Sequence, residues 1–408
     1  MPEKNVKENN DLMEKIVSLC KRRGFVFPGS EIYGGFAGTY DWGSLGVALK
    51  NNLQQNWWKK FVDGRRDIYG VDAAIIMNPK VWESSGHVAG FSDPTPDGQQ
   101  FNVMFKTQAG AGEEATTAYL RPETAQGMFV NFKNTIDAFH PKLPFGMAQI
   151  GKAFRNEIAP RDFLFRQREF EQMEIEYFVR EMEWEKYFEY WKGEMLEWME
   201  EIGFDMVKVH ELEVGDNERA HYSKKTIDFE FDYPFGRKEL FGLAYRTDFD
   251  LKNHKLEYVD EEQGEKIIPH AIEPTFGVDR AILALLLSSY REDEKGGEIR
   301  SYLKLKPNIA PVICAVSPLL KNKPELVEYA NTKVYAPLKA EFGRVAWDDN
   351  GNIGKRYRRQ DEIGTPFCIV VDFDTLNDDT VTVRDRDTGE QERVKTDNLK
   401  NYIKEKIS

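Results

Sequence analysis

The chain has little of what builds metal clusters or disulfide frameworks. Its 408 residues hold only three cysteines, Cys20, Cys314 and Cys368, spaced far apart. That pattern fits a reducing compartment. The six histidines are equally scattered and no H-E-x-x-H occurs, so no protein-bound zinc is expected. Long apolar runs are missing as well. The longest, Ala281 to Leu287, falls far short of the roughly eighteen residues a membrane span needs. The N-terminus, Met1-Pro2-Glu3-Lys4-Asn5, is polar and has no signal-peptide core. The expected location is therefore cytoplasmic. Positive charge is also scarce. A net charge of −13 excludes a protein coated for non-specific nucleic-acid binding. A local basic face can still act within an acidic whole, and Lys355-Arg356-Tyr357-Arg358-Arg359 is such a face. No internal repeat or low-complexity segment is present.

What remains is enough chain for two or three ordinary domains, with an apolar fraction of 41%. Periodicity predicts an amphipathic helix over 11–23, through Leu12, Ile16, Leu19 and Cys20. A glycine-rich stretch, Gly29 to Gly43, leads to a second helix from Ser44 to Phe61. There Leu45, Leu49, Leu53, Trp57 and Phe61 recur at helical spacing. Residues 71–150 read as alternating strands and loops. A third helix covers 182–202, with Trp184, Phe188, Trp191, Met195, Trp198 and Ile202 on one stripe, which reads as core. Phe229 to Tyr233 and Glu239 to Tyr245 read as strands, and an apolar helix starts at Val278. After Pro307 the texture changes. Apolar strands at Ile309–Val316, Phe367–Val371 and Val381–Arg384 alternate with helical stretches, the first of which Pro337 should kink. This predicts a small α/β domain over 306–408, behind a larger one over 1–305.

Chemistry concentrates in Phe154-Arg155-Asn156-Glu157-Ile158-Ala159-Pro160-Arg161 and Arg166-Gln167-Arg168-Glu169-Phe170-Glu171-Gln172-Met173-Glu174. Strand-like halves flank a polar turn. Arginine grips phosphate in a planar, bidentate way. Carboxylates a few residues on can hold an amine. One hairpin can thus carry a nucleotide triphosphate and an amino compound side by side. An arginine two residues from a glutamate is, taken alone, more often a plain ion pair.

These residues resemble motif 2 of the class II aminoacyl-tRNA synthetases. Glu273-Pro274-Thr275-Phe276-Gly277-Val278-Asp279-Arg280, opening the apolar helix, resembles motif 3. Within the class the chain is similar to the homodimeric glycyl-tRNA synthetases. That similarity rests on Gly29 to Gly46, Val81 to His87, Tyr119-Leu120-Arg121-Pro122-Glu123-Thr124-Ala125-Gln126-Gly127, both motifs, Glu239-Leu240, Arg246-Thr247-Asp248, and Arg356 to Pro366. The resemblance implies an α+β fold: an antiparallel-sheet catalytic domain with flanking helices, plus a C-terminal α/β anticodon-binding domain. It implies an ATP-dependent glycine–tRNA ligase with glycine, ATP and tRNA as partners, acting as a homodimer.

By the same resemblance, Arg155 would hold the α-phosphate and the attacking carboxylate, with Arg280 as the second catalytic arginine. Glu157 would meet the adenine amino group, and Phe170 and Arg280 would sandwich the ring. Arg166 and Arg168 would reach the outer phosphates, and Glu239 would carry magnesium with ATP. The wider ATP site would include Asn156, Phe165, Gln167, Glu169, Leu240, Gly277, Val278 and Asp279. Glu123, Glu174 and Thr275 would line the glycine pocket, among Phe170, Glu171, Gln172, Met173, Glu273, Pro274, Phe276 and Gly277. Four departures stand out: Ser44 where proline is usual, Thr275 for serine, Phe241 for an acid, and a missing insertion after Phe91-Ser92-Asp93-Pro94, with its substrate-contacting arginine. Two alternatives remain open: a synthetase-derived nucleic-acid-binding accessory protein, and a class II synthetase for another small amino acid.

Overall fold

Strict alternation along a few strands divides this protein into an apolar core and a charged site. The computed structural model describes residues 2–217, 219–220, 222–260, 264–295 and 297–407, the side chains of 2–10 and 295 excepted. In chain order the main elements of the larger part are α1 (Pro2–Arg23), α2 (Ser44–Trp58), β1 (Ile68–Gly70), α3 (Ala125–Phe139), β2 (Phe145–Phe154), β3 (Glu169–Val179), α4 (Trp184–Ile202), β4 (Val209–Glu213), β5 (Lys225–Tyr233), β6 (Gly236–Thr247), β7 (His270–Gly277) and α5 (Val278–Ser289). The strands form one seven-stranded sheet in the order β4-β5-β6-β7-β3-β2-β1. Every pairing is antiparallel except β1 with β2.

Side chains on a strand point to opposite faces in turn. On β3, Met173, Ile175 and Tyr177 face one way, and Gln172, Glu174 and Glu176 the other. On β7, Ile272 and Phe276 oppose Glu273 and Thr275; on β6, Leu243 and Tyr245 oppose Ala244 and Arg246. The apolar set is buried in one cluster with Leu49, Leu53 and Trp57 of α2, Trp191 and Trp198 of α4, and most of α5. The tryptophan stripes are therefore core, as their spacing predicts. Phe241 belongs to the same face. It lies 5.0 Å from the Phe276 ring and 6.0 Å from Trp198, so an apolar residue suits that position. On the polar side, α3 packs Phe129 and Phe132 against Phe145 and Phe178.

That helix corrects the sequence reading of 71–150 as strands and loops. Gly127 and β-branched residues weaken its local propensity, while packing of Met128, Phe129, Phe132 and Ile136 stabilises it. The helix from Ser44 is α-helical to Trp58 and then runs into a π-helical turn over Lys59–Asp63. The charged stretch near Glu292 to Arg300 is a β-hairpin, Tyr290–Lys295 against Glu298–Leu303.

The smaller part holds β8 (Cys314–Pro318), β9 (Val345–Trp347), α6 (Ile353–Glu362), β10 (Phe367–Val371), β11 (Thr380–Asp385), β12 (Gln391–Lys395) and α7 (Leu399–Ile407). Its five strands run β9-β8-β10-β11-β12, parallel around β8 and antiparallel beyond β10. The expected strand from Ile309 begins only at Cys314. Ile309, Ala310 and Val312 pack into the large core instead, and Ile313 into the small one. Pro337 splits its helix as expected: a π-helical turn, Ala330–Tyr335, separates Pro324–Tyr329 from Ala336–Phe342.

The basic helix α6 uses its arginines within the chain. Arg356 is buried and donates to the carbonyls of Gly351, Pro318 and Asp349. Arg359 pairs with Asp348 at 2.6 Å, and Arg358 with Glu298 of the hairpin. Asp361 takes Arg384 at 2.8 Å and Arg300, also from the hairpin, at 3.1 Å. The helix thus fastens the two parts together through Arg358 and Asp361.

Because Leu283 is wholly buried beneath the sheet, Leu283→Ala should destabilise the fold by about 2–5 kcal/mol. Thermal unfolding measures this, and an unchanged midpoint would contradict the packing described.

Candidate active site

The polar face of the sheet carries a cavity of about 330 Å3. Its lining includes Glu123, Arg155, Glu157, Arg166, Phe170, Glu174, Glu239, Thr275 and Arg280, together with Phe165, Gln167, Leu240, Glu171, Gln172, Glu273, Gly277 and Asp279. Residues from five separate stretches of sequence therefore meet in one place. Asn156, Arg168, Glu169, Met173, Pro274, Phe276 and Val278 do not line it. Met173, Phe276 and Val278 lie on the core side, fully buried. Glu169 pairs with Lys152, and Arg168 reaches out to the Ala37 carbonyl at 2.7 Å and covers the Phe36 ring.

One end is arginine-rich. Arg155 is held between the Phe91 and Phe170 rings, at 5.2 and 5.3 Å, and its Nε donates to the Pro122 carbonyl at 3.1 Å. Arg280 lies over Phe165 at 4.4 Å and pairs with Glu239 at 3.0 Å. Arg166 bridges Glu157 at 2.5 Å and Asp93 at 2.8 Å, which ties the tip of the β2–β3 hairpin to the Asp93 loop. Asp228, not singled out in the sequence, also lines the cavity. Burial, then Glu239 and Glu230, push its carboxyl up to about 7.

The other end is closed and acidic. Glu174 is buried. It accepts from the Thr124 hydroxyl and, at 2.9 Å, from the Thr275 hydroxyl. Burial and the neighbouring Glu123 raise its pKa. Burial pushes the Glu123 carboxyl upward too, but His87, Arg246 and Arg155 outweigh that and hold it well below the usual carboxylate range. His87 stands 3.3 Å from Glu123, its other ring nitrogen 2.8 Å from the Ser85 hydroxyl.

Behind these groups lies Arg246. Its guanidinium is buried, pairs with Asp250 at 2.8 and 2.9 Å, and reaches Glu273 at 2.7 Å. The Tyr222 ring covers it at 3.8 Å. Gln126 donates to Asp250 at 2.8 Å and extends the network. Asp250, Gln126 and Tyr222 were not found from sequence. Arg246 is on β6 and Asp250 on the short helix Phe249–Asn253 that follows, so no periodicity in the sequence signals the pair.

An enclosed group of carboxyls with one guanidinium behind it attracts an ammonium. The arginines at the open end suit a polyanion. A hard cation brought by such an anion would find Glu239 and Asp228 as oxygen ligands. Among the described residues no three potential ligands gather into a metal site of their own.

Comparisons with known proteins agree with this geometry. Residues 105–290 match the model of the tRNA synthetase class II core domain (G, H, P, S and T), and 313–406 that of an anticodon binding domain. The chain is 46% identical to a glycine–tRNA ligase of Lachnospira eligens, over 97% of this chain and 99% of that protein. It is 45% identical to one from Caldanaerobacter subterraneus subsp. tengcongensis and 43% identical to one from Thermus thermophilus, each over 97% of this chain and at least 98% of the relative. The alignment to the Lachnospira protein runs over 464 positions against 408 residues here, so that relative carries segments this chain lacks.

Replacing Arg246 by glutamine would leave Asp250 and Glu273 without their cation, a loss of about 3–5 kcal/mol. Glu273, which burial already raises and Arg246 opposes, would then bind its proton more tightly when folded than when unfolded, so stability falls as pH rises. The stability deficit of Arg246→Gln should therefore be larger at pH 8 than at pH 5 in thermal unfolding; an equal deficit at both would contradict the pairing.

Proposed function

The chain belongs to the glycine–tRNA ligase family of class II aminoacyl-tRNA synthetases, and from that premise we propose how its cavity performs the ligation. Glycine sits at the closed acidic end and the ATP triphosphate at the arginine-rich end. The glycine carboxylate attacks the α-phosphorus; an oxygen–phosphorus bond forms and pyrophosphate leaves. The ribose hydroxyl at the 3′ end of tRNA(Gly) then attacks the adenylate's carbonyl carbon; an ester forms, the bond to phosphate breaks and AMP leaves. The observation that carries this reading is the meeting of Glu123, Glu174 and Thr275 with Arg155 and Arg280 in one cavity.

No side chain need act as nucleophile. Catalysis rests on positioning and on stabilising charge that grows at the reacting phosphate. Arg155 is suited to this. Two rings hold it and, among the described residues, only its Nε hydrogen-bonds to the chain, so its outer amino groups can follow the transition state. Phe170 and Arg280 take the adenine between them, and Glu157 reads its amino group. Arg166 exchanges Glu157 and Asp93 for outer phosphate oxygens. Glu239 would hold a magnesium ion brought with ATP, which would supply neutralisation of phosphate charge.

The glycine end selects in two ways. Carboxylates attract the ammonium. The Glu174–Thr275 and Glu174–Thr124 bonds close the space beside it, so a β-carbon has to break buried hydrogen bonds. Lost attraction alone would give only about 1–3 kcal/mol per methyl-sized group. We also propose a cytoplasmic homodimer. No helix of the described residues is long and apolar enough to cross a membrane, and Ile32 and Tyr33, almost fully exposed, supply apolar surface for a second copy.

ATP–pyrophosphate exchange with glycine, alanine and serine tests the reading. Glycine should support exchange and the other two should not; exchange with alanine or serine instead would move the chain to another substrate. Arg155→Ala should abolish exchange while the protein stays folded, and near-normal exchange would remove that residue from the reacting centre. Glu174 must ionise to receive the ammonium, and its pKa in the empty site is raised. The kcat/KM for glycine should thus climb with pH on the acid side. Glu174→Gln should raise the glycine KM and flatten that climb; an unaltered pH profile would count against the pocket.

A further inference from the structure

Glu176 stands behind the lining of the acidic end, two residues beyond Glu174 on β3. It is fully buried, and both its carboxyl oxygens lack a hydrogen-bond partner among the described residues. The register pairs Tyr177 with Ile272 and Glu174 with Thr275. Glu176 therefore stands across from Glu273, on the same face of the sheet. Side chains so placed are only about 4.5–5.5 Å apart at their β-carbons, and like charges there oppose each other.

The groups around Glu176 come from each strand or helix packed there. Glu174 lies along its own strand, Glu273 is opposite on β7, Arg246 comes from β6 and Asp250 from the helix that follows β6. The guanidinium is already committed, to Asp250 twice and to Glu273 once. A bare carboxylate at Glu176 would be a buried charge with no donor, beside other carboxylates. That arrangement is too costly to persist, whereas a neutral acid is tolerated if its proton finds an acceptor.

We propose that Glu176 is held as a neutral carboxylic acid that donates its proton in a hydrogen bond to Glu273. Glu273 is then fixed between this donor and Arg246, with its remaining lone pairs toward the ammonium. Glu176 is a positioning residue: it acts on glycine through Glu273. It also lowers by one the number of negative charges at this end, so Glu123, Glu174 and Glu273 face a single ammonium without a further uncompensated charge behind them. Burial and Glu273 both raise its pKa well above the ordinary carboxyl range. Glu273 is raised as well, by burial, but Arg246 opposes this. The ion pair makes Glu273 the member that ionises first.

The kinetic arm of the test rests on reading this cavity as the glycine site; the unfolding arm does not. Two variants are compared with the parent chain. Glu176→Gln keeps a neutral group that can donate to Glu273. Glu176→Met keeps the volume and removes the donor. An acid with a raised folded-state pKa contributes stability at low pH that is lost as pH rises toward that value, and glutamine has no such loss. The thermal midpoint of Glu176→Gln, measured from pH 5 to pH 8, should therefore gain on the parent steadily as pH rises. In glycine-dependent exchange at pH 7.5, Glu176→Gln should keep a near-parental glycine KM. Glu176→Met should raise it by about tenfold, the worth of one hydrogen bond to a charged group. A midpoint difference that does not change with pH would overturn the proposal. So would a Glu176→Gln variant whose KM rises as far as that of Glu176→Met, since Glu176 would then be an ionised ammonium ligand. Absence of glycine-dependent exchange in the parent would defeat the glycine reading, while the midpoints still decide where the proton is.

Discussion

The buried guanidinium of Arg246 is the constraint on which the site depends. Glu123, Glu174, Glu176, Asp250 and Glu273 gather in a space where none could remain ionised alone. Arg246 binds two of them directly and lies 4.0 Å from Glu123. The Tyr222 ring and Phe129 cover its faces, which keeps water out and strengthens each of these interactions. A buried ion network of this kind adds little net stability over an apolar filling. Its worth lies in a fixed, negative cavity that a small cation can complete.

The sheet makes such a site possible. Every strand that contributes a carboxylate to the polar face contributes phenylalanine, isoleucine, leucine or methionine to the other. The cost of crowding acids on one side is offset by a core of α2, α4 and α5 on the opposite side, where burial is worth about 25 cal/mol per Å2 of apolar surface. Phe241 shows how local the rule is. An acid there would enter that core, whereas Glu239, two positions away, reaches the rim because the register of β5 with β6 shifts between them.

Much of this was legible in the sequence, and the limits have physical causes. The long helices were visible because tryptophan and leucine recur every three or four residues. The smaller α/β domain was visible as alternating apolar strands and helices. α3 was missed because its stability comes from Phe129 and Phe132 meeting Phe145 and Phe178, not from local propensity. In the site, residues standing in motif-like stretches could be named, and most of them gather in one cavity. Met173, Phe276 and Val278 were named with their neighbours and fall on the far side of the sheet, since a contiguous stretch of strand always includes residues of both faces. Asp250 and Glu176 went unnamed for the opposite reason: their importance lies in what they meet across strands. Extending the alternation two residues past Glu174 would have placed Glu176 on the polar face. The arginines of α6 were legible as charge, but their partners Asp348, Glu298 and backbone carbonyls were not.

Recognition of the smallest amino acid, in the pocket proposed for it, gives these features a common logic. Glycine offers no side chain to grip, so selectivity has to come from a strong pull on its ammonium and from walls that do not yield. Both demands favour the same construction. Carboxyls bonded to Thr124, Thr275 and Arg246 are strong acceptors and are also unable to move aside, because each displacement would strand a buried polar group. A looser pocket with the same charges would hold glycine by its ammonium yet admit alanine at little cost. Rigidity therefore serves specificity here as directly as charge does, and a neutral Glu176 beneath Glu273 would supply the last hydrogen bond that keeps the floor from shifting.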